Sequence, residues 1–255
     1  MSLALDPAAQ DLLFREARTA NTFTDEPVTD EQVRAIYDLV KYGPTAFNQS
    51  PLRVTLVRSP EARERLVAHM AEGNRPKTAS APLVAILSAD NEFHEELPQL
   101  FPHFPQAKDA FFSERPVREG AAAVNAALQA AYFIIGVRAA GLAAGPMTGF
   151  DFEGVRKEFL DDDHTPLMVV NIGRPGPDAW FPRSPPLYVF LTPCAAPRPS
   201  PPAGRTIPCR SPPWSSPRCP PAPARRNGRP RSASRSCRRS AAWPPSSRRP
   251  ASCPR

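Results

Sequence analysis

Residues that could bind a ligand stand in four short segments of this sequence. They are 18–21 (RTAN), 43–51 (GPTAFNQSP), 73–78 (GNRPKT) and 145–151 (GPMTGFD). A cation beside a hydroxyl donor, as at Arg18 and Thr19, suits a dianionic ligand. Taken singly, each segment is first of all a turn, and Arg18 is also placed to interact with the C-terminal end of a helix. Only the four segments together carry a functional argument.

Nucleophilic and metal chemistry have no signature in the first 190 residues. A P-loop, a GxGxxG motif after a strand, HExxH and GxSxG are all absent. The three candidate histidines, His94, His103 and His164, lack metal-ligand spacing. His164 follows three aspartates at 161–163, and this stretch is expected to be a solvated acidic loop. No metal site is predicted.

The composition changes abruptly near the C-terminus. Residues 193–255 contain 17 of the 35 prolines, 14 arginines and all five cysteines, but no Asp, Glu or Lys. Before Pro193, 18 basic residues face all 25 acidic ones, a net charge of −7, so the basic character belongs to the tail. The predicted organisation is one globular domain over residues 1–186 and a disordered Pro/Arg/Ser-rich tail over 187–255.

The origin of this tail has two competing explanations. Translation of GC-rich DNA in the wrong reading frame gives this amino-acid composition, so a frameshift is the favoured hypothesis. Re-sequencing tests it, because the corrected reading frame should contain a stop codon near residue 200. An arginine-rich arm for nucleic acid is the rival. Apart from Trp214 and Trp243, no aromatic residues are interleaved with the arginines, and the cysteines lack CxxC spacing. Neither nucleic acid nor zinc is therefore expected as a partner.

Local patterns predict the elements that must position the four segments. Asp6 and Pro7 should begin a helix that ends near Arg18, and Thr29 with Gln32 should form a capping box for a second helix that stops at Gly43. Strands are expected at 53–57, 82–88 and 167–172, and helices after Ser59, at 118–140 and at 152–160. Residues 118–140 are apolar nearly all round and should form a buried central helix, closed by a glycine at 141.

The order of these elements favours an α+β sandwich in which helices flank a mixed central sheet. Residues 1–186 contain no cysteine, no run is as long and apolar as a membrane span, and the N-terminus lacks the basic and apolar regions of a signal peptide. A cytoplasmic location is expected.

Taken in order, the four segments resemble the nitroreductase family over residues 15–183. The segment 43–51 is similar to the Pro-Ser/Thr-x-x-Asn segment of that family, 73–78 to its Asn-x-x-Lys segment, and 145–151 to its Pro-x-x-Gly-Phe loop. The strings PQLFPH at 98–103 and QAAYFII at 129–135 are closest to those of RutE-type reductases. Four motifs in register are far more specific than one.

The resemblance implies a homodimer with two FMN sites at the subunit interface, each built from both chains. It further implies ping-pong hydride transfer from NADH or NADPH through FMN to malonic semialdehyde, which becomes 3-hydroxypropanoate. Two alternatives remain open: a broad nitroaromatic or quinone reductase, and an inactive flavin-binding remnant. No catalytic side chain is required, because the flavin carries the chemistry.

The resemblance also assigns roles to residues of this sequence. Arg18, Thr19 and Arg183 match positions that bind the FMN phosphate or ribityl chain. Asn21 stands where relatives often have a second basic residue, so a hydrogen bond replaces one charge there. Relatives usually carry another cation shortly after the position of Arg183, where this chain has Pro186. One phosphate contact is therefore expected to be missing.

The remaining assignments concern the flavin ring and the acceptor. Asn74 and Lys77 match the pair that faces the pyrimidine edge, where reduction builds negative charge. The segment donated by the partner subunit is matched by Pro44, Thr45, Ala46, Asn48 and Ser50. The loop near flavin N5 is matched by Pro146, Thr148 and Gly149. His103, Arg75 and Arg118 are candidates for orienting a small carboxylate acceptor. Residues 187–191 (LYVFL) are a candidate substitute for a strand that closes the fold in relatives.

Overall fold

A four-stranded antiparallel sheet lies at the centre of the fold. The strands β1 (Leu52–Val57), β2 (Leu83–Asp90), β3 (Ala143–Met147) and β4 (His164–Gly173) are arranged in the order β1-β2-β4-β3. Every pair of neighbours is antiparallel. The predicted α+β class is confirmed, but the mixed sheet is wrong for the described residues. The apolar run of β2 arises because both faces of this antiparallel sheet are covered.

The computed structural model describes residues 3–185. The chain divides into a unit Met1–Phe190 and a second unit Leu191–Arg255. The boundary predicted at 186/187, the tail and the candidate strand at 187–191 lie outside the described residues and stay predictions.

Helices and helical turns surround the sheet. The α-helices are α1 (Pro7–Gln10), α2 (Asp30–Val40), α3 (Pro60–His69), α4 (Arg75–Ser80), α5 (Leu97–Leu100), α6 (Ala107–Phe111), α7 (Arg115–Ala139) and α8 (Phe152–Phe159). A π-helical turn, Asp11–Arg15, continues α1, and short 3₁₀ segments lie at Ala46–Asn48, Glu72–Asn74 and Phe93–Glu96.

The core lies on both faces of β2, whose side chains alternate between two clusters. Val84 and Ile86 face one cluster, to which α3 and α8 contribute Leu66 and Val155. Leu83, Ala85 and Leu87 face the other, to which α2 and α7 contribute Ile36, Phe133 and Val137. The first seven residues of β2 are all buried, as expected for a central strand.

Side-chain caps begin the helices as predicted. The Asp6 carboxylate accepts a hydrogen bond from the Ala9 amide at 2.8 Å. Thr29 and Gln32 form the complete capping box, with both reciprocal bonds present. The first helical segment, however, ends at Arg15 instead of Arg18. Here a tertiary contact replaces helical continuation, because the Ala20 amide donates to Ala144 O on β3 at 3.2 Å.

β3 was missed by the sequence patterns, which indicated a loop at residues 145–151. Its Pro146 lacks an amide donor and argues against a central strand. Among the strands of residues 3–185, β3 lies at the edge of the sheet, next to β4 only. Proline is tolerated on such an edge, so Pro146 belongs to a strand while Thr148 and Gly149 follow it.

α7 is the central helix but not buried all round. Its face with Ala126, Ala130, Phe133 and Val137 is buried against the sheet. The side chains of Val124, Leu128 and Tyr132 are exposed, which corrects the expectation of complete burial. α7 is also long and apolar enough to cross a membrane by length and composition. That corrects the expectation that no run qualifies, although its packing is that of a core helix.

α2 packs tightly on α7 at Gly136. A Cβ atom added there would lie 2.3 Å from Val40 Cγ1. We predict that Gly136→Ala lowers the free energy of unfolding by about 1–2 kcal/mol in urea denaturation. Overpacking costs about 1–3 kcal/mol and exceeds the gain of up to about 1 kcal/mol from helix propensity.

Gly120 provides the matched control on the same helix. It is exposed, and a Cβ added there would meet nothing within 4 Å. Gly120→Ala should therefore raise the free energy of unfolding by about 0.5–1 kcal/mol. Equal effects of the two substitutions would contradict the close approach of α2 to α7.

Candidate functional site

One groove of about 510 Å³ collects five of the residues predicted to bind the cofactor. Its lining comprises Ala17, Arg18, Thr19, Asn21, Lys77, Phe181, Pro182, Arg183 and Ser184. These residues come from three distant parts of the sequence: the segment after α1, helix α4 and the stretch after β4. The fold thus brings together three cations and two hydrogen-bonding side chains.

Backbone contacts fix the first of these segments. The Asn21 amide donates to Ala179 O at 3.0 Å, and its side-chain nitrogen lies 3.3 Å from the same oxygen. Asn21 therefore ties the segment after α1 to the stretch that carries Arg183. Its side-chain amide nitrogen is engaged in this link, which leaves the side-chain oxygen as the free polar atom in the groove.

The two arginines of the groove differ in their partners. A terminal nitrogen of Arg18 lies 3.3 Å from the Glu16 carboxylate, while its Nε is buried without a hydrogen-bond acceptor among residues 3–185. Arg183 donates from one terminal nitrogen to Arg15 O and, at 3.0 Å, to Ala17 O. An orphaned donor on Arg18 is what an anionic group in this groove would satisfy.

Lys77 reaches the groove from α4. It is half-buried, and among residues 3–185 no carboxylate forms an ion pair with it. Asn74 lies one helical turn earlier and donates from Nδ2 to Gly149 O at 3.0 Å. The two residues of the predicted pair therefore have different contacts: Lys77 lines the groove, and Asn74 hydrogen-bonds to the loop after β3.

Gly149 is required by this contact. A Cβ atom there would lie 2.8 Å from Asn74 Nδ2 and 3.4 Å from Ala71 Cβ. The Ala71 amide also donates to Gly149 O at 3.0 Å. The absence of a side chain lets the main chain after β3 approach Ala71 and Asn74 closely, just before α4.

The segment containing Pro44, Thr45, Ala46, Asn48 and Ser50 lies elsewhere. None of these residues lines the groove of Lys77 and Arg18 within the described chain. Phe47, Asn48 and Ser50 adopt left-handed backbone conformations, with φ of 53°, 51° and 43°. Such conformations are costly for residues other than glycine and persist only where surrounding contacts impose them.

A buried polar network imposes that conformation. Asn125 on α7 accepts from the Ala46 amide at 2.8 Å and donates to Gln49 Oε1 at 2.9 Å. Gln129, one turn later, accepts from the Leu52 amide at 3.0 Å. Sequence reasoning missed Asn125, Gln49 and Gln129. The only available signal was an amide side chain repeated at i and i+4 on an otherwise apolar helix.

Aromatic side chains cover the same segment. The Phe47 ring lies 5.5, 5.6 and 5.8 Å from the rings of Phe101, Phe111 and Phe112. His103 in turn packs edge-on against Phe101 at 5.8 Å. The stretch between β2 and α7 therefore builds an aromatic wall over Phe47, next to the candidate acceptor residue His103.

Arg118 and Arg75, the other residues predicted to orient the substrate, already have partners within the protein. Arg118 donates to backbone carbonyls of Asn91, Phe112 and Ser113 and pairs with Glu92 at 2.8 Å. Arg75 donates to Met70 O at 3.0 Å. Both side chains brace the protein, so the expectation that either orients a carboxylate has no support in this geometry.

Two of the three candidate histidines, His94 and His164, lie close to carboxylates. Atoms of Glu92, His94 and Glu95 that could ligate a metal lie within 4.8 Å of one another, which the sequence spacing did not indicate. Both carboxylates are already paired, with Arg118 and Lys108. His164 Nδ1 lies 2.5 Å from Asp161, and this hydrogen bond is the main cause that lowers the pKa of the Asp161 carboxyl.

Comparison with known proteins assigns the chain to a family. The model described as the nitroreductase family matches residues 14–174. This chain belongs to the nitroreductase family. It is 95% identical over 185 residues to a Streptomyces coelicolor protein named as an NADH dehydrogenase/NAD(P)H nitroreductase, covering 72% of this chain and 94% of the relative. A similarly named nitroreductase relative from Leptothrix cholodnii is 46% identical, with coverage of 76% and 99%.

Solved nitroreductase structures share the fold. The nitroreductase ydfN of Bacillus subtilis has 25% sequence identity and a TM-score of 0.66, covering 73% of this chain and 99% of that one. A nitroreductase from Exiguobacterium sibiricum, solved in complex with FMN, has a TM-score of 0.64 at 16% identity, with coverage of 73% and 95%. The second likeness supports the fold alone.

Removal of one partner from the Asn125 network should destabilise the fold. We predict that Asn125→Leu lowers the free energy of unfolding by about 2–3 kcal/mol, because the Ala46 amide and the Gln49 side chain lose their buried partner. The measurement is urea denaturation. In the double variant Asn125→Leu with Gln49→Leu, the total loss should be smaller than the sum of the single losses by at least about 0.5 kcal/mol. Strict additivity would contradict direct coupling of the two amides.

Proposed function

We propose that this chain is an FMN-dependent NAD(P)H oxidoreductase that preferentially reduces malonic semialdehyde to 3-hydroxypropanoate. The observation that carries the cofactor assignment is the groove shared by Arg18, Lys77 and Arg183, in which Arg18 Nε is buried and unpaired. Membership of the nitroreductase family and the FMN named for one structural neighbour support it. The choice of malonic semialdehyde as the substrate rests on the similarity of residues 98–103, 129–135 and 145–151 to RutE-type reductases.

The residues present fit a bound flavin phosphate. Arg18 and Arg183 supply guanidinium donors and Thr19 a hydroxyl donor. The Asn21 side-chain nitrogen already donates to the Thr19 and Ala179 carbonyls. A phosphate dianion would satisfy the orphaned Arg18 Nε and offset the excess positive charge of the groove. When bound, FMN would supply the hydride carrier between the nicotinamide donor and the acceptor.

Lys77 and the Gly149 loop have distinct roles in this proposal. Lys77 would stabilise the negative charge that accompanies reduction of the flavin. Its positive charge is available for this because no carboxylate among residues 3–185 pairs with it. The backbone at Thr148 and Gly149 would border the ring, with Asn74 fixing its position through Gly149 O. No side chain is asked to act as a nucleophile.

A homodimer completes the proposed site. The segment with Thr45, Asn48 and Ser50 lies outside the groove of its own chain, which is expected if it serves the groove of a second copy. Exposed apolar side chains support such an interface. They are Tyr37, Leu39 and Tyr42 around α2 and Val124, Leu128 and Tyr132 on α7.

The first test is the visible spectrum of the full-length chain with FMN under anaerobic conditions. Wild-type flavin should bleach on addition of NADH or NADPH, and the faster donor identifies the nicotinamide preference. Lys77→Met should slow bleaching about 10²-fold, the typical effect of losing one donor to a developing negative charge. Lys157→Met, at an exposed lysine paired with Glu153 on α8, is the control and should bleach at the wild-type rate.

A chain that neither carries nor takes up FMN would overturn the proposal. If the chain binds FMN without bleaching, it is a flavin-binding remnant. Size-exclusion chromatography then shows whether the cause is failure to dimerise, because a monomer could not complete a shared site.

The acceptor requires its own comparison. We expect kcat/KM for malonic semialdehyde to exceed that for a nitroaromatic compound or a quinone by at least about tenfold. The relatives' names favour the broader activity, a nitro or quinone reductase. Negligible turnover of the semialdehyde beside rapid nitroaromatic turnover would establish that alternative.

A further inference from the structure

Arg138 is a cation that the sequence motifs did not single out. It lies in the last turn of α7, and its half-buried side chain lines a second cavity, of about 180 Å³. Arg18 and Ala17 line both this cavity and the larger groove. The two cavities therefore share Arg18 and Ala17, with Arg138 lining one of them and Lys77 the other.

The charge around Arg138 is unbalanced. Among residues 3–185 no carboxylate forms an ion pair with it. Glu16 lines the same cavity, but it is exposed and its nearest cation is Arg18, at 3.3 Å. Burial lowers the pKa of the Arg138 guanidinium, and the positive charge of Arg183 lowers it further. Arg138 therefore feels the positive charge of Arg183 and shares its cavity with one exposed carboxylate, that of Glu16.

A simpler role for Arg138 does not account for this placement. A cation in the last turn of a helix interacts favourably with the helix dipole, by about 0.3–1 kcal/mol. That interaction needs neither partial burial nor a cavity shared with Arg18. Clustered, partly desolvated arginines with an orphaned Nε among them are the arrangement that binds a phosphate dianion.

We propose that Arg138 binds the phosphate of FMN together with Arg18 and Arg183. This inference rests on the proposed flavin cofactor. It also accounts for a departure from the family pattern, since the basic residue expected soon after Arg183 is replaced by Pro186. The third guanidinium then comes from the end of α7 instead of the C-terminal segment.

The test compares two flavins that differ only in the phosphate. Full-length wild type, Arg138→Gln and Arg138→Lys are stripped of flavin and titrated with FMN and with riboflavin, following quenching of flavin fluorescence. Arg138→Gln should raise the Kd for FMN about tenfold and leave that for riboflavin within twofold. Arg138→Lys should show a smaller loss, because it keeps the charge but not the guanidinium fork.

Arg115→Gln provides the matched control on the same helix. Arg115 lies at the other end of α7, where it pairs with Glu119 and Asp163, so its substitution removes the same charge away from the groove. It should leave both Kd values within twofold of wild type. The arginine-rich tail is common to all variants and cancels in the comparison.

Each outcome decides between this inference and the cofactor assignment. Wild type that fails to bind FMN overturns the proposed function itself. Wild-type binding with unchanged FMN affinity in Arg138→Gln overturns only the role of Arg138. Equal weakening of FMN and riboflavin shows that the residue shapes the fold and does not contact phosphate. Unchanged FMN affinity with a raised KM for NADPH relative to NADH assigns Arg138 to the nicotinamide donor, and also overturns the inference.

Discussion

The packing of α7 against the central sheet is the constraint on which the rest of the structure depends. One face of this helix closes the core over β2 and β4, and the same helix carries Asn125, Gln129 and Arg138. Asn125 and Arg138 are separated by about 20 Å along the axis, at 1.5 Å per residue. A single rigid element therefore determines where the strained segment around Phe47 lies and where the Arg138 guanidinium lines the cavity that it shares with Arg18. Both sites would shift together if the helix moved.

The groove also shows how local charge differs from net charge. Residues before Pro193 carry an excess of acidic side chains. Many of these pair with arginines elsewhere, as Glu153 and Asp162 do with Arg156. The cations of the groove are left with little compensation. An acidic domain surrounding a positive groove would favour the approach of a phosphorylated ligand to that groove over the rest of the surface of the domain.

Sequence reasoning was reliable wherever the determinant was local. The caps at Asp6 and Thr29, the turn at Gly141 with φ of 75° and the buried run of β2 are fixed by neighbouring residues. The family resemblance assigned Arg18, Lys77 and Arg183 to the cofactor, which remains a prediction, and the structure places the three in one groove. The role of Pro44–Ser50 in a second subunit remains a prediction.

Failures occurred where a distant contact decided the outcome. Pro146 argues for a loop until the edge position of β3 is known, and the first helical segment stops early because Ala20 bonds to that same edge. Arg138 and Asn125 carry no motif, since their importance arises only from what the fold places beside them. The sheet type could not be read from β2, because burial on both faces gives the same apolar run in parallel and antiparallel sheets.

β1 has a consequence for how the protein behaves in solution. In the described chain its only strand partner is β2, so along its other side every second residue presents its backbone N–H and C=O without a neighbouring strand. Its centre is apolar, with Val54 partly exposed, and Arg53, which pairs with Asp90, is the only charged residue in the strand. An uncovered edge of this kind is a template for strand addition between molecules. Molecules in which nothing covers the free edge of β1 would therefore aggregate at high concentration, even when each molecule is stably folded.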